Sequence, residues 1–294
     1  VAREITVLVN PTSGGGRGAR MAGPVTERLR SAGLNARWEA GRDAGESAEL
    51  ARRAVSRGVD ALVVVGGDGM IHLALQAVAG TNTPLGIVPA GSGNDLARAL
   101  ALPRKDPLAA VDLVIAGQHR AIDLGKAGAT WFGTIFTAGF TGRVTERVNT
   151  MHRLRGTLKY AAGVAAEVRD FTPRPYVLEL DGERWETNAL VIAIGNTSSF
   201  GGGVWICEGA DPADGQFDVT VIGQVSRLDL ARLYPKLFTG RSFSHPAITR
   251  RKAKLVNVAA PETSGYADGE KLAPLPLTVE CVPEALQIFL PPKP

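Results

Sequence analysis

The sequence predicts an α/β fold, a parallel sheet with helices on both faces, followed by a second, mainly antiparallel β domain. Three observations carry that expectation. Strand-like and helix-like stretches alternate from residue 4 to about residue 101, the pattern of a parallel sheet layered with helices. Three glycine-bearing loops, at 10–18, 66–69 and 89–95, each follow a strand-like run, and binding sites in such sheets lie at the carboxyl ends of the strands. After about residue 122 the alternation gives way to short β-patterned pieces separated by turn signals.

The elements bear this out in order. Residues 4–9 (EITVLV) form an apolar strand, and the glycine-rich loop NPTSGGGRGAR follows at 10–20. A helical pattern runs from Val25 to Ala32 and stops at Gly33, glycine being favoured just past a helix end. Residues 35–39 (NARWE) form a second strand, and 46–57 a helix with Ala, Leu and Val on one face and Gly58 as its stop. Residues 61–65 are almost continuously apolar, as a strand buried on both faces requires. A helix over 70–79, a strand over 85–88 and a helix beginning in 94–101 complete the alternation. Strand-like pieces then fall at 134–138, 176–180, 189–194, 217–222, 255–259 and 277–282, with turn signals such as Asp181-Gly182 and Asp214-Gly215 between them. A helical insert at 144–169 interrupts them, and 284–290 is expected to return to the first domain. The expected division is 1–122 with 284–294, and 123–283.

Bulk properties fit two domains. The chain has 294 residues, against about 150 for one domain. It is 45% hydrophobic and 21% charged, which is globular rather than disordered composition. A net charge of +4 suits anionic small molecules or an anionic membrane surface. No Lys/Arg block with interleaved aromatics occurs, so nucleic acid is not an expected partner. Cys207 and Cys281 lack metal-ligand spacing and read as reduced, structural thiols of a cytoplasmic protein. The first ten residues read as a strand rather than a signal peptide. No apolar run approaches the ~18 residues that cross a bilayer, so membrane contact is expected to be peripheral.

The loops carry the chemistry. Gly66-Gly67-Asp68-Gly69 joins a buried strand to a helix. Glycines let a ligand approach the backbone, and N–H groups at a helix start favour anions. A carboxylate there makes sense if Mg²⁺ sits between it and phosphates, or if it orients a donor group; alone, the string reads as a structural turn. In PAGSGNDLARAL, Gly91, Ser92 and Gly93 form a bend with a hydroxyl, and Asn94 or Asp95 can cap the following helix. In the first loop, small residues stand beside Arg17 and Arg20, guanidinium donors suited to phosphate. It lacks the Gly-Lys-Ser/Thr of a P-loop, and Gly14-Gly15-Gly16 fits the dinucleotide fingerprint poorly.

GGDG at 66–69, PLGIVPAGSGNDLARAL at 84–100, AIDLG at 121–125 and YADGE at 266–270 together resemble the diacylglycerol kinase catalytic-domain family of lipid kinases, relatives of sphingosine, ceramide and NAD kinases and of phosphofructokinases. The resemblance runs over almost the whole chain and is closest to the soluble bacterial members. It implies an α/β nucleotide domain and a β-sandwich domain with the active site in the cleft between them. It also implies ATP, Mg²⁺ and transfer of the γ-phosphoryl group to a lipid hydroxyl. By position, Asn10, Pro11, Thr12, Ser13 and Gly14, with Gly66, Gly67, Asp68 and Gly69, match the nucleotide-binding segments. Gly91, Gly93 and Asn94 flank Ser92, which matches a hydroxyl residue contacting ATP. Asp68, Asp95 and Asp123 match the family's acidic cluster near the phosphates. Asp268 or Glu270 matches the proton acceptor, with both left open, and Asp211, Asp214 and the backbone of Gln216 match a structural Mg²⁺ site.

The chain departs from the family pattern where GGDG is usually followed by Thr, then Asn and Glu; here Met70, His72 and Leu73 stand in those places. The second strand, commonly ending Thr-Trp-Glu, reads Arg37-Trp38-Glu39, so Arg37 is expected to supply a charged phosphate contact. The insert mixes Arg147, Arg153, Arg155 and Lys159 with Val148, Met151, Leu154 and Leu158. It reads either as a basic amphipathic helix meeting anionic lipid or as a solvated helix of its own domain. The leading expectation is a cytoplasmic lipid kinase acting on a lipid at the inner membrane face, with a homodimer allowed for. The alternatives are a kinase for a soluble amphiphile and a lipid-binding regulator without catalysis.

Overall fold

The computed structural model describes residues 2–140, 142, 144, 172–226, 228, 229, 232, 234–240 and 244–292. The expected helical insert at 144–169 therefore lies outside the described residues, Val144 excepted. The chain divides into two units, residues 1–124 with 283–294, and residues 125–282.

In the first unit β1 (Glu4–Val9), β2 (Asn35–Glu39), β3 (Ala61–Gly66) and β4 (Leu85–Pro89) pair in parallel in the order β2-β1-β3-β4. Every residue of β3 is buried, which is what its unbroken apolar run requires of a central strand. Helix α1 (Ser13–Ser31) packs with α5 (Pro107–Ala116), and α2 (Ala44–Ser56) with α3 (Asp68–Val78); a short α4 (Asp95–Ala99) follows β4. Ile5, Val7 and Val9, alternate residues of one strand, share a core with Val25, Leu29, Val111 and Val114. Local chemistry sets the helix ends. Asp43 accepts the Glu46 N–H at 2.8 Å, and Asp106 accepts those of Leu108 and Ala109 at 3.0 and 3.1 Å with Pro107 beside it, both ordinary N-caps.

Two points correct the sequence reading. The helix expected over 25–32 begins near the glycine loop, because Gly14, Gly15 and Gly16 alone take positive φ and regular helix resumes after them, with Pro24 inside it. Helix α5 was missed altogether, although Asp106-Pro107 and the left-handed Gly117 mark its two ends.

The second unit is antiparallel. Strands β7 (Ile135–Gly139), β10 (Val191–Gly195), β13 (Phe217–Ile222), β14 (Ile248–Ala253), β16 (Ser264–Ala267) and β17 (Glu270–Pro274) form a sheet in the order β14-β13-β10-β7-β16-β17. Strands β8 (Arg174–Leu180), β9 (Glu183–Ala189) and β15 (Leu255–Ala259) form a second sheet with the first part of β18 (Leu277–Phe289), in the order β18-β15-β8-β9. Phe136, Ile192, Ile194, Phe217 and Val219 from the first sheet meet Tyr176, Leu178, Val256, Val258 and Val279 from the second in one core, a β-sandwich. Two short ladders complete the unit. In one, the last three residues of β5 (His119–Ala127), whose earlier part belongs to the first unit, pair β6 (Thr130–Phe132); in the other, β11 (Ser199–Phe200) pairs β12 (Val204–Trp205). The last part of β18 belongs to the first unit, where Ile288 pairs in parallel with Leu85 of β4.

Candidate active site

In the first unit the three glycine loops are brought together. A Cβ on Gly14 would strike the Ala90 carbonyl, one on Gly67 would lie 3.0 Å from the Gly91 Cα, and one on Gly18 would strike the Asn10 carbonyl. The loops after β1, β3 and β4 thus touch backbone to backbone, a closeness that side chains at these positions would prevent. Asn10 pins the first loop. Its N–H donates to Val65 O at 3.0 Å, and its side-chain oxygen accepts the Thr12 N–H at 3.1 Å and the Thr12 hydroxyl at 2.8 Å.

Asp68 ties the second loop to the third. One carboxylate oxygen accepts the Asn94 N–H at 2.8 Å and the other the Asp95 N–H at 2.6 Å. Asn94 sits in the left-handed region and closes its own loop: its amide oxygen accepts the Gly91 N–H at 3.0 Å and its amide nitrogen donates to Gly91 O at 2.9 Å. Asp68, Asn94 and Asp95 are therefore one cluster. Ser92 is exposed at the loop tip, and Arg17 and Arg20 are exposed on the first regular turns of α1. Pro11 is exposed and Gly69 lies in the first turn of α3. Asp123 is buried on β5, where it accepts the Glu284 N–H at 2.9 Å.

The departures from the family pattern have structural meaning. Met70 is buried, and its Cβ lies 2.7 Å from where a Gly66 Cβ would stand, so it packs behind the turn. Arg37 is exposed on the edge strand β2 with Glu39 3.7 Å from its guanidinium.

In the second unit Asp268 and Gly269 both take positive φ between the paired residues Ala267 and Glu270, a two-residue hairpin turn of the kind Asp-Gly favours. The Asp268 carboxylate accepts the N–H groups of Gly133 and Thr134 at 2.9 and 2.8 Å and the Thr134 hydroxyl at 2.5 Å. Asn196, fully buried, donates its amide to Gly133 O at 3.1 Å and its N–H to Thr134 O at 2.9 Å. Glu270 is exposed at the start of β17.

Sequence reasoning missed Thr134, Asn196 and Arg98, whose guanidinium donates to Gly93 O at 3.0 Å. A signal existed for Asn196: a polar Asn-Thr pair ends the apolar run VIAIG. Burial and then the neighbouring Arg98 hold the Arg104 guanidinium below its usual pKa, against the attraction of Asp95. Of the matched structural-metal residues, Asp211 accepts the Ala213 N–H at 3.1 Å and Asp214 the Gln216 N–H at 3.0 Å.

A parallel sheet with glycine turns gathered at its carboxyl edge, and a β-sandwich with an anchored aspartate, defines a two-domain enzyme of the phosphate-handling kind. The diacylglycerol kinase catalytic domain matches residues 4–127, and the YegS C-terminal NAD kinase beta sandwich-like domain matches residues 134–290. A diacylglycerol kinase of Mycobacterium tuberculosis is 40% identical over 98% of this chain and 95% of its own length. One of Bacillus subtilis is 29% identical over 93% of this chain and 92% of its own. The crystal structure of a diacylglycerol kinase from Bacillus anthracis covers 99% of this chain and 97% of its own with a TM-score of 0.77, at 19% identity. The chain belongs to the diacylglycerol kinase family, a family of lipid kinases. Among the described residues no helix is long and apolar enough to cross a membrane.

Proposed function

We propose that the protein transfers the γ-phosphoryl group of ATP to a hydroxyl of diacylglycerol or a similar lipid, with Mg²⁺, at an anionic membrane surface. The observation that carries this is the convergence of three glycine turns around Asp68 in a member of this family. Phosphoryl transfer asks for positioning and charge neutralisation more than for covalent chemistry. Backbone N–H groups of the gathered turns, with Arg17 and Arg20 exposed beside them, suit the phosphates of a nucleotide.

Among the described residues no three acidic groups gather closely enough to hold a metal ion by themselves, so a hard cation here would share its ligands with the nucleotide's phosphates. Asp68, Asp95 and Asp123 carry carboxylate oxygens, the ligands Mg²⁺ takes. Bound there, Mg²⁺ would neutralise charge on the phosphates. The protein's own part is to hold the loops: Asp68 fixes the start of α4, and Asn94 fixes Gly91. Asp268 is the better of the two proton acceptors, since Gly133 and Thr134 hold its carboxylate in one orientation, whereas Glu270 is exposed. Its role is to take the proton of the lipid hydroxyl as that oxygen bonds to phosphorus.

The test uses labelled ATP, Mg²⁺ and mixed vesicles of diacylglycerol with anionic phospholipid. The full chain is expected to yield a labelled lipid. Asp268→Asn is expected to lower kcat by about 10²–10⁴-fold with nucleotide affinity unchanged, and Glu270→Gln to retain most activity. The reverse pattern would move the proton acceptor to Glu270. Equal turnover of a soluble short-chain acceptor without vesicles would favour the soluble-amphiphile reading. Lipid binding without any Mg-ATP binding would favour a regulator.

A further inference from the structure

The turn that the family resemblance equips with a structural Mg²⁺ holds a different cation in this chain. Asp218 of β13 stands directly opposite Lys252 of β14 in the antiparallel register, so the two side chains share one face of the sheet at close range. The Lys252 ammonium lies 3.0 Å from Asp218 Oδ2 and 2.7 Å from Asp214 Oδ2. It thus bridges the strand to the 211–216 turn. The turn closes on itself as well, because Asp211 and Asp214 accept the N–H groups of Ala213 and Gln216 and the Asp214 N–H donates to Asp211 O at 3.3 Å.

Asp218 is 9% exposed, and a carboxylate held out of water beside a second carboxylate requires a counter-charge. A divalent ion on the same oxygens, at ~2.0–2.1 Å for Mg²⁺, would crowd the ammonium that already meets them. Of the matched ligands, Asp214 gives one carboxylate oxygen to the Lys252 ammonium and the other to the Gln216 N–H, and Asp211 accepts the Ala213 N–H, so this donor set does not fit a metal while Lys252 stays in place.

We propose that the Lys252 ammonium is the resident cation of this turn, and that the 211–218 segment is locked without a divalent metal. The requirement for a fixed positive charge between Asp214 and Asp218 is met from the facing strand. Metal supply then governs catalysis only, and leaves the stability of the β-sandwich alone.

Thermal melting of the full chain without nucleotide, in EDTA and in millimolar MgCl₂, tests this. The parent is expected to melt at the same temperature in both. Lys252→Met is expected to melt about 1–4 °C lower in EDTA and to regain part of the loss in MgCl₂. Adding Asp214→Asn to that variant should abolish the regain. Lys252→Arg, which keeps the charge, should melt near the parent and ignore metal; it also serves if the Met variant does not fold. The proposal is overturned if Mg²⁺ raises the parent's melting temperature and Asp214→Asn removes the effect. It is equally overturned if Lys252→Met melts as the parent does.

Discussion

Two aspartates show how much a residue's setting decides. Asp68 and Asp268 each precede a glycine, Asp68 at the start of α3 and Asp268 in a hairpin turn, and each spends its carboxylate on backbone N–H groups distant in sequence, Asp68 on Asn94 and Asp95, Asp268 on Gly133 and Thr134. Both are organisers of neighbouring loops before they are chemical groups. A third residue, Cys207, is fully buried, and burial pushes its thiol from 9.0 up to about 12, with the nearby Asp218 pushing the same way and Thr220 opposing. The unfolded chain therefore loses its proton at a lower pH than the folded one. Stability contributed by the neutral thiol is whole below pH 9.0 and declines between there and about 12, by about 1.4 kcal/mol per pH unit for such a group. Urea titrations across this window should show a steeper alkaline loss in the parent than in Cys207→Ala. A chromogenic disulfide reagent at pH 8 should react with Cys207 only when the chain is unfolded.

Elements are held to one another through their glycines. A Cβ on Gly91 would meet the Gly67 Cα, backbone against backbone with no flexible end to yield. Gly91→Ala is expected to cost about 1–3 kcal/mol, as overpacking does, and to weaken nucleotide binding with it, measurable by chemical denaturation and calorimetry. Gly23 lies inside α1 with nothing within 4 Å of its would-be Cβ. Pro24 follows it, and the proline ring disfavours helical backbone for a preceding residue that carries a Cβ; this offsets the helix propensity an alanine adds, so Gly23→Ala should leave stability within about 0.5 kcal/mol of the parent. The sequence presents both simply as glycines; only the neighbour makes one indispensable. The strands and caps of the first unit were legible because periodicity and N-cap chemistry are local. Strands β9, β14 and β17 were not, since their residues are mostly exposed or half-buried, and β16 was not, since it is only four residues long.

Whole-molecule organisation depends on a segment far from the rest of its unit. Residues 283–294 complete the first unit, and Leu286, Ile288, Phe289 and Leu290 are buried to within 4% or less exposure. Four such side chains are worth about 6–12 kcal/mol, comparable with the net stability of a domain. A chain ending at Val282 should show no cooperative melt and enter inclusion bodies, whereas one ending at Leu290 should melt as the parent does.

The sequence by itself determined the α/β character of the first unit, the positions of its glycine turns, the change to β structure and the family, because each is written in short-range pattern or in contiguous motifs. Tertiary structure alone decided that Asp68 clasps the 94–95 backbone, that Asp268 is anchored by Gly133 and Thr134, and that Lys252 stands between Asp214 and Asp218. Those contacts join residues 26 to 135 positions apart, and no local pattern encodes which partner a carboxylate meets once the backbone has folded back on itself.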